Sequence, residues 1–109
     1  MGKFIKGDIV VLPFPFSDLS NSKKRPALVL AILNGNDILL CQFTSQYSAD
    51  STSLIEVDFA TGGLPVNSFI KHTKLFTADQ VIFIKKAGHI KPTVTKSVTD
   101  KIIKLLKNE

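Results

Sequence analysis

Few residues in this chain are placed to do chemistry. Among fourteen basic residues only one, Arg25, is an arginine. It stands where a polar loop, Ser20-Asn21-Ser22-Lys23-Lys24, gives way to Pro26 and the apolar run Ala27 to Leu33. That position fixes its backbone and lets its guanidinium reach the surface. A guanidinium holds phosphate oxygens bidentately and keeps its charge at any physiological pH, which an ammonium does not match. The plainer alternative is a structural salt bridge, or a side chain snorkelling at a strand edge. A second polar cluster, Thr44-Ser45-Gln46, follows the next apolar stretch. Its hydroxyls either meet a ligand or satisfy the backbone of a turn.

Other chemistries find no support. There is no glycine-rich phosphate loop, neither Gly-x-Gly-x-x-Gly nor a P-loop. His72 and His89 lack metal-ligand spacing, and the acids are scattered without an obvious carboxylate pair, so neither a metal nor a cofactor is expected. The single cysteine, Cys41, lies in an apolar strand and reads as a small buried hydrophobe; alone, it forms no intramolecular disulfide.

The elements that must position these residues are short strands followed by one helix. Ile5 to Leu12 is a β-branched run that stops at Pro13. Ala27 to Leu33 is continuous rather than alternating, as in a strand covered on both faces. Asn34-Gly35-Asn36-Asp37 tolerates positive φ and joins it by a hairpin to Ile38–Phe43. Leu54 to Phe59 alternates, with Ile55, Val57 and Phe59 inward. Thr61-Gly62-Gly63 reads as a break. Phe69 to Phe76 forms another strand, Thr77 to Gln80 has capping-box spacing before a short helical turn, and Lys85 to Ile90 is a last strand. After Pro92 the period changes: Val94, Val98, Ile102, Leu105 and Leu106 recur at helical spacing as one inner stripe.

With 109 residues of about 12 kDa, the pattern predicts one domain spanning residues 1–109, mostly β with α, a small antiparallel barrel with a C-terminal helix. No apolar run approaches the roughly 20 residues a bilayer needs, and no secretion signal is legible, so a cytoplasmic protein is expected and no membrane association. The net charge of +5 is uneven. Residues 1–80 carry six lysines and Arg25 against seven acids, whereas residues 81–109 carry seven lysines against Asp100 and Glu109. Lysines near the helix end oppose the negative pole of its dipole, which accounts for part of the surplus.

The order and spacing of several short motifs resemble one family. Gly7-Asp8-Ile9-Val10 opens a strand; a polar loop leads to Lys24-Arg25-Pro26-Ala27-Leu28-Val29-Leu30; Thr44-Ser45-Gln46 follows the next strand; and the chain ends in a lysine-rich helix. In this it looks like the MazF/PemK toxins of type II toxin–antitoxin systems, over nearly the whole chain. The resemblance implies an SH3-like barrel (MazF/PemK/CcdB-like), a homodimer, and a cognate acidic antitoxin whose initially disordered segment covers the site. It also implies metal-independent, sequence-preferring cleavage of single-stranded RNA, in which a 2′-hydroxyl attacks the adjacent phosphorus and leaves a cyclic phosphate. The family's catalytic arginine falls on Arg25 and its threonine on Thr44. Lys23, Lys24, Ser45, Gln46, Lys71, Thr73 and Lys74 would line the RNA groove, with Phe14, Phe16 and Tyr47 as stacking candidates.

One feature of the family is absent. Many members carry a glutamate shortly before the arginine; here Asp18 is the nearest carboxylate. In another branch an arginine and an aspartate on the later strand take part, and those positions fall near Lys71 and Thr73, with His72 between them. Asp18 and His72 are therefore the candidate acid–base groups. Without the glutamate a second reading stands: a non-catalytic module on the same fold, binding nucleic acid or, like the CcdB-like poisons, DNA gyrase.

Overall fold

The computed structural model describes residues 4–14, 23–54, 58–64 and 68–108. Its strands are β1 (Asp8–Phe14), β2 (Lys23–Ile32), β3 (Asp37–Thr44), β4 (Ser51–Leu54), β5 (Phe59–Gly62), β6 (Ser68–Asp79) and β7 (Lys85–Ile90). A 3₁₀ turn covers Gln80–Ile82, and helix α1 (Pro92–Lys107) closes the chain. The strands form one antiparallel sheet in the order β4-β6-β3-β2-β1-β7-β5, curled into a half-barrel.

The continuous apolar run Ala27 to Leu33 is covered on both faces from Ala27 to Leu30, whereas Ile32 and Leu33 at its far end are exposed. Leu28 and Leu30 enter one core with Ile9, Cys41, Ile70, Ile90 and Val98 of α1. Ala27 and Val29 enter a second, on the other face, with Val10, Leu12, Ile38 and Leu40. Successive side chains of a strand point to opposite faces, so a strand covered on both sides must be apolar at every position. Phe4 and Phe83 meet edge to face beside the second core, ring centroids 5.1 Å apart.

β1 runs through Pro13 to Phe14, beyond the expected stop. Its pairing with β7 ends at Val11–Lys85, so Pro13 has a strand only on its β2 side and withholds no needed N–H from β7. Pro26 likewise sits just outside the β2–β3 ladder, which begins at Ala27–Gln42.

Four other expectations are corrected. Leu54 to Phe59 is not one strand: Leu54 ends β4, paired to β6, and Phe59 begins β5, paired to β7, at the opposite edge of the sheet. Ile55 and Val57 lie outside the described residues. Thr61-Gly62 is the end of β5 rather than a break; Gly62 takes φ +65°, and a Cβ there would come within 2.2 Å of the Ala87 carbonyl oxygen. Thr77 is a strand residue paired with Leu39, and the 3₁₀ turn is capped by Asp79, whose carboxylate accepts from the Val81 N–H at 2.9 Å. In α1, Val94, Val98 and Ile102 reach the first core, whereas Leu105 and Leu106 are exposed. Pro92 opens that helix in its first turn, Asn108 ends it at φ 59°, and Lys104 and Lys107 occupy its last turn.

A bulge in β6 matters most for the site. Cys41 pairs with Leu75 and Gln42 with Lys71, so His72, Thr73 and Lys74 are extra residues with no counterpart in β3. A bulge re-aims the side chains around it.

Candidate functional site

β2, β3 and β6 end around a groove of about 500 Å³. β2 contributes Arg25 and Pro26, β3 contributes Gln42, Phe43 and Thr44, and Ser45 follows directly. Ser68, Lys71 and Lys74 come from β6. In a regular strand Lys71 and Lys74, three apart, would face opposite sides; the bulge between them brings both to this groove. Three cations thus line one concavity; none of the described lining residues is a carboxylate or an imidazole, and of the three only Lys71 has an acidic partner within 4.0 Å among the described residues. Such a site attracts an anion and stabilises negative charge that develops within it.

The structure brings together five of the sequence candidates: Arg25, Thr44, Ser45, Lys71 and Lys74. Thr44 has both roles open to it. Its Oγ1 accepts from the Gln46 N–H at 3.2 Å, which leaves its own proton to donate. Gln46 serves through that backbone contact and does not line the groove. Lys23 and Lys24 are exposed, but Lys24 lines a different cavity, because consecutive residues of β2 face opposite sides. Asp18 and Phe16 lie outside the described residues. Tyr47 is exposed and meets Phe69 edge to face, with ring centroids 5.9 Å apart.

Thr73 and Lys71 are tied to a residue that sequence reasoning missed. Asp50 accepts from Lys71 Nζ at 3.1 Å, from the Thr73 hydroxyl and from the Ser48 hydroxyl. Lys71 also donates to Ser48 Oγ at 3.2 Å. The connection between β3 and β4 is therefore fastened to the bulge beside the groove. Hydrogen bonds from Ser48, Thr73 and Lys71 hold the Asp50 carboxyl well below the usual carboxylate range. It stays ionised and is a poor proton acceptor, so its contribution is to place Lys71. Asp50 is distant in sequence from both β6 partners, and no local motif marks it.

His72 does not line this groove. It is buried, and its Nδ1 has no hydrogen-bond partner. Burial first, then Lys101 of α1 and Lys71, lower its proton affinity against the opposing pull of Asp50. The folded pKa lies below that of the unfolded chain, so this group favours the fold fully above about pH 6.5 and weakens it as the pH falls further. We expect thermal unfolding of the protein to lose stability between pH 7 and pH 5, and His72→Phe to flatten that decline. An equally steep decline in the variant would assign it to other groups.

Elsewhere, burial pushes the Cys41 thiol up to about 12, which leaves it protonated and unreactive. His89 serves the fold: its Nδ1 lies 2.8 Å from Oδ1 of buried Asp8, whose Oδ2 accepts from the Ile5 N–H at 2.9 Å. Among the described residues no three His, Cys, Asp or Glu side chains are grouped to hold a metal ion. No described helix is long and apolar enough to cross a membrane.

A sequence model of the PemK-like, MazF-like toxins of type II toxin–antitoxin systems matches residues 5–106. No curated protein matches the sequence. Among solved structures, the MazE–MazF complex of Deinococcus radiodurans matches with a TM-score of 0.77 at 19% identity, covering 100% of both chains. An endoribonuclease in complex with its cognate antitoxin, from a mycobacterial species, gives 0.68 at 13% identity, covering 96% of this chain and 93% of that one. The Mycobacterium tuberculosis toxin MazF-mt6 gives 0.66 at 15% identity, covering 93% and 96%. At such identities the structures speak for the fold, and the family comes from the sequence match over nearly the whole chain: this protein belongs to the PemK-like, MazF-like toxins of type II toxin–antitoxin systems.

Proposed function

We propose that the protein is an endoribonuclease toxin that cuts single-stranded RNA in the Arg25 groove without a metal ion. The observation that carries this reading is the convergence of Arg25, Thr44, Lys71 and Lys74 on one concavity, where Arg25 and Lys74 have no acidic partner within 4.0 Å among the described residues and Lys71 is held by Asp50. The 2′-hydroxyl adjoining the cut attacks phosphorus, the bond to the 5′-oxygen breaks, and a cyclic phosphate and a 5′-hydroxyl result. The proton leaves the 2′-oxygen and one is gained by the 5′-oxygen. Arg25 neutralises charge on the phosphorane, often the largest catalytic contribution in such a site. Thr44 donates to a phosphate oxygen, while Lys71, placed by Asp50, and Lys74 hold the backbone. Asp18, in the connection between β1 and β2 and outside the described residues, is the candidate proton acceptor from the sequence.

The protein acts as a homodimer in this reading, held inactive by an antitoxin whose acidic segment occupies the same cationic groove. The assay is incubation of the purified toxin, freed of antitoxin, with a broad pool of single-stranded RNAs in excess chelator. Fragments ending in cyclic phosphate are the expected product. Intact RNA together with inhibition of gyrase supercoiling would replace this reading by the gyrase-poison alternative.

A further inference from the structure

A second cavity, of about 470 Å³, adjoins the groove. We infer that it is a subsite for nucleotides flanking the cut, so that one RNA strand runs from Lys71 and Lys74 across Pro26 and Ser68 to Lys24 and Lys85. This rests on the ribonuclease reading and extends it to a length of substrate.

Pro26 and Ser68 wall both cavities, so the two adjoin there. Beyond them the second cavity has an apolar lining of Val11, Leu64 and Ala87, with Lys24, Lys85 and Lys86 as its cations. An unpaired nucleotide has matching halves: a flat base with apolar faces and an anionic backbone. The base takes the lining and the phosphates take the lysines. Lys24 and Arg25 are neighbours on β2 yet serve different cavities, because alternate side chains leave the strand on opposite sides. The end of β2 is thus a saddle with a cation on each slope. A flexible single strand bends over such a saddle and a stiff duplex does not.

The three lysines are not equivalent. Lys86 Nζ lies 3.6 Å from Oδ2 of buried Asp8, which offsets its charge. Lys24 and Lys85 are exposed and have no acidic partner within 4.0 Å among the described residues. They also come from opposite halves of the chain's uneven charge: Lys85 belongs to the basic last 29 residues, Lys24 to the neutral remainder. The cavity gives the surplus a place in substrate binding beyond the helix terminus.

The test compares wild type with a Lys24→Ala/Lys85→Ala double variant, after circular dichroism has established that both fold. The RNA sequence that wild type cuts is made non-cleavable by a 2′-deoxy substitution at the cut. It is prepared in two lengths, with one or with six nucleotides on each side. Wild type is expected to bind the long RNA about tenfold more tightly than the short one. The double variant should lose that advantage, and its slope of log affinity against log salt on the long RNA should fall by about 1.4, two phosphate contacts on a single strand. If wild type cuts RNA but the variant keeps the length advantage and slope, the subsite is wrong and the ribonuclease reading survives. If the variant keeps them but no longer dimerises by light scattering, the cavity belongs to a second copy of the chain, and the inference is overturned equally. If wild type cuts no RNA, the ribonuclease reading fails and takes this one with it.

Discussion

Arg25→Ala is expected to lower the rate of RNA cleavage by a factor of about 10²–10³, the loss seen when one preorganised donor to a developing oxyanion is removed. It should barely move the thermal unfolding midpoint. The side chain is exposed at a strand end, and no described carboxylate shares its groove, so no buried partner is left unsatisfied. Arg25→Lys is the sharper variant. It keeps the positive charge but loses the planar fork that holds two phosphate oxygens at once. If Arg25 acts on the phosphorane, lysine should recover only a small part of kcat, while KM for RNA stays close to wild type. Full recovery by lysine would reduce Arg25 to a generic cation in the groove. Unchanged cleavage by Arg25→Ala would move the chemistry elsewhere.

Asp8→Ala should destabilise the protein by roughly 1–3 kcal/mol, measured by denaturant unfolding, because it removes the one acceptor shared by two part-buried donors. Oδ1 faces His89 Nδ1 at 2.8 Å and Oδ2 accepts from the Ile5 N–H at 2.9 Å, while the carboxylate itself is almost wholly out of water. Against a total stability of about 5–15 kcal/mol that loss is large. Gly7 contributes to the same corner. Its φ is +98°, its N–H donates to the Val29 carbonyl at 2.9 Å, and a Cβ on it would come within 2.9 Å of His89 Cε1. The Gly7-Asp8 motif, which helped draw the family resemblance, therefore secures β1 to β7 and takes no part in the groove. An Asp8→Ala protein as stable as wild type would contradict this account. A folded Asp8→Ala protein that no longer cuts RNA would show that the corner governs the site as well.

Much of the architecture was legible because it follows from periodicity. The unbroken run at Ala27 to Leu33 demanded cover on both faces; two cores supply it from Ala27 to Leu30, while Ile32 and Leu33 are exposed. The change of period after Pro92 marked α1, with proline in its first turn. The position of Arg25, where charged loop becomes apolar strand, marked the groove. The segment Leu54 to Phe59 misled because alternation reports a face and not a partner. Its two ends pair at opposite edges of the sheet.

By itself, the sequence determined which segments must be buried, where the helix lies, that Arg25 stands at the end of a covered strand, and the toxin family. Those properties reside in local spacing, which folding preserves. Only the tertiary structure decided which side chains share a cavity. A bulge of three residues in β6 turns Lys71 and Lys74 to the groove and leaves His72 buried outside it. The return of the β3–β4 connection brings Asp50 onto Lys71 and Thr73. Strand alternation parts Lys24 from Arg25 into two cavities that meet at Pro26 and Ser68. Register and irregularities in it are set by long-range pairing, and a one-residue shift in pairing exchanges the faces of every side chain beyond it.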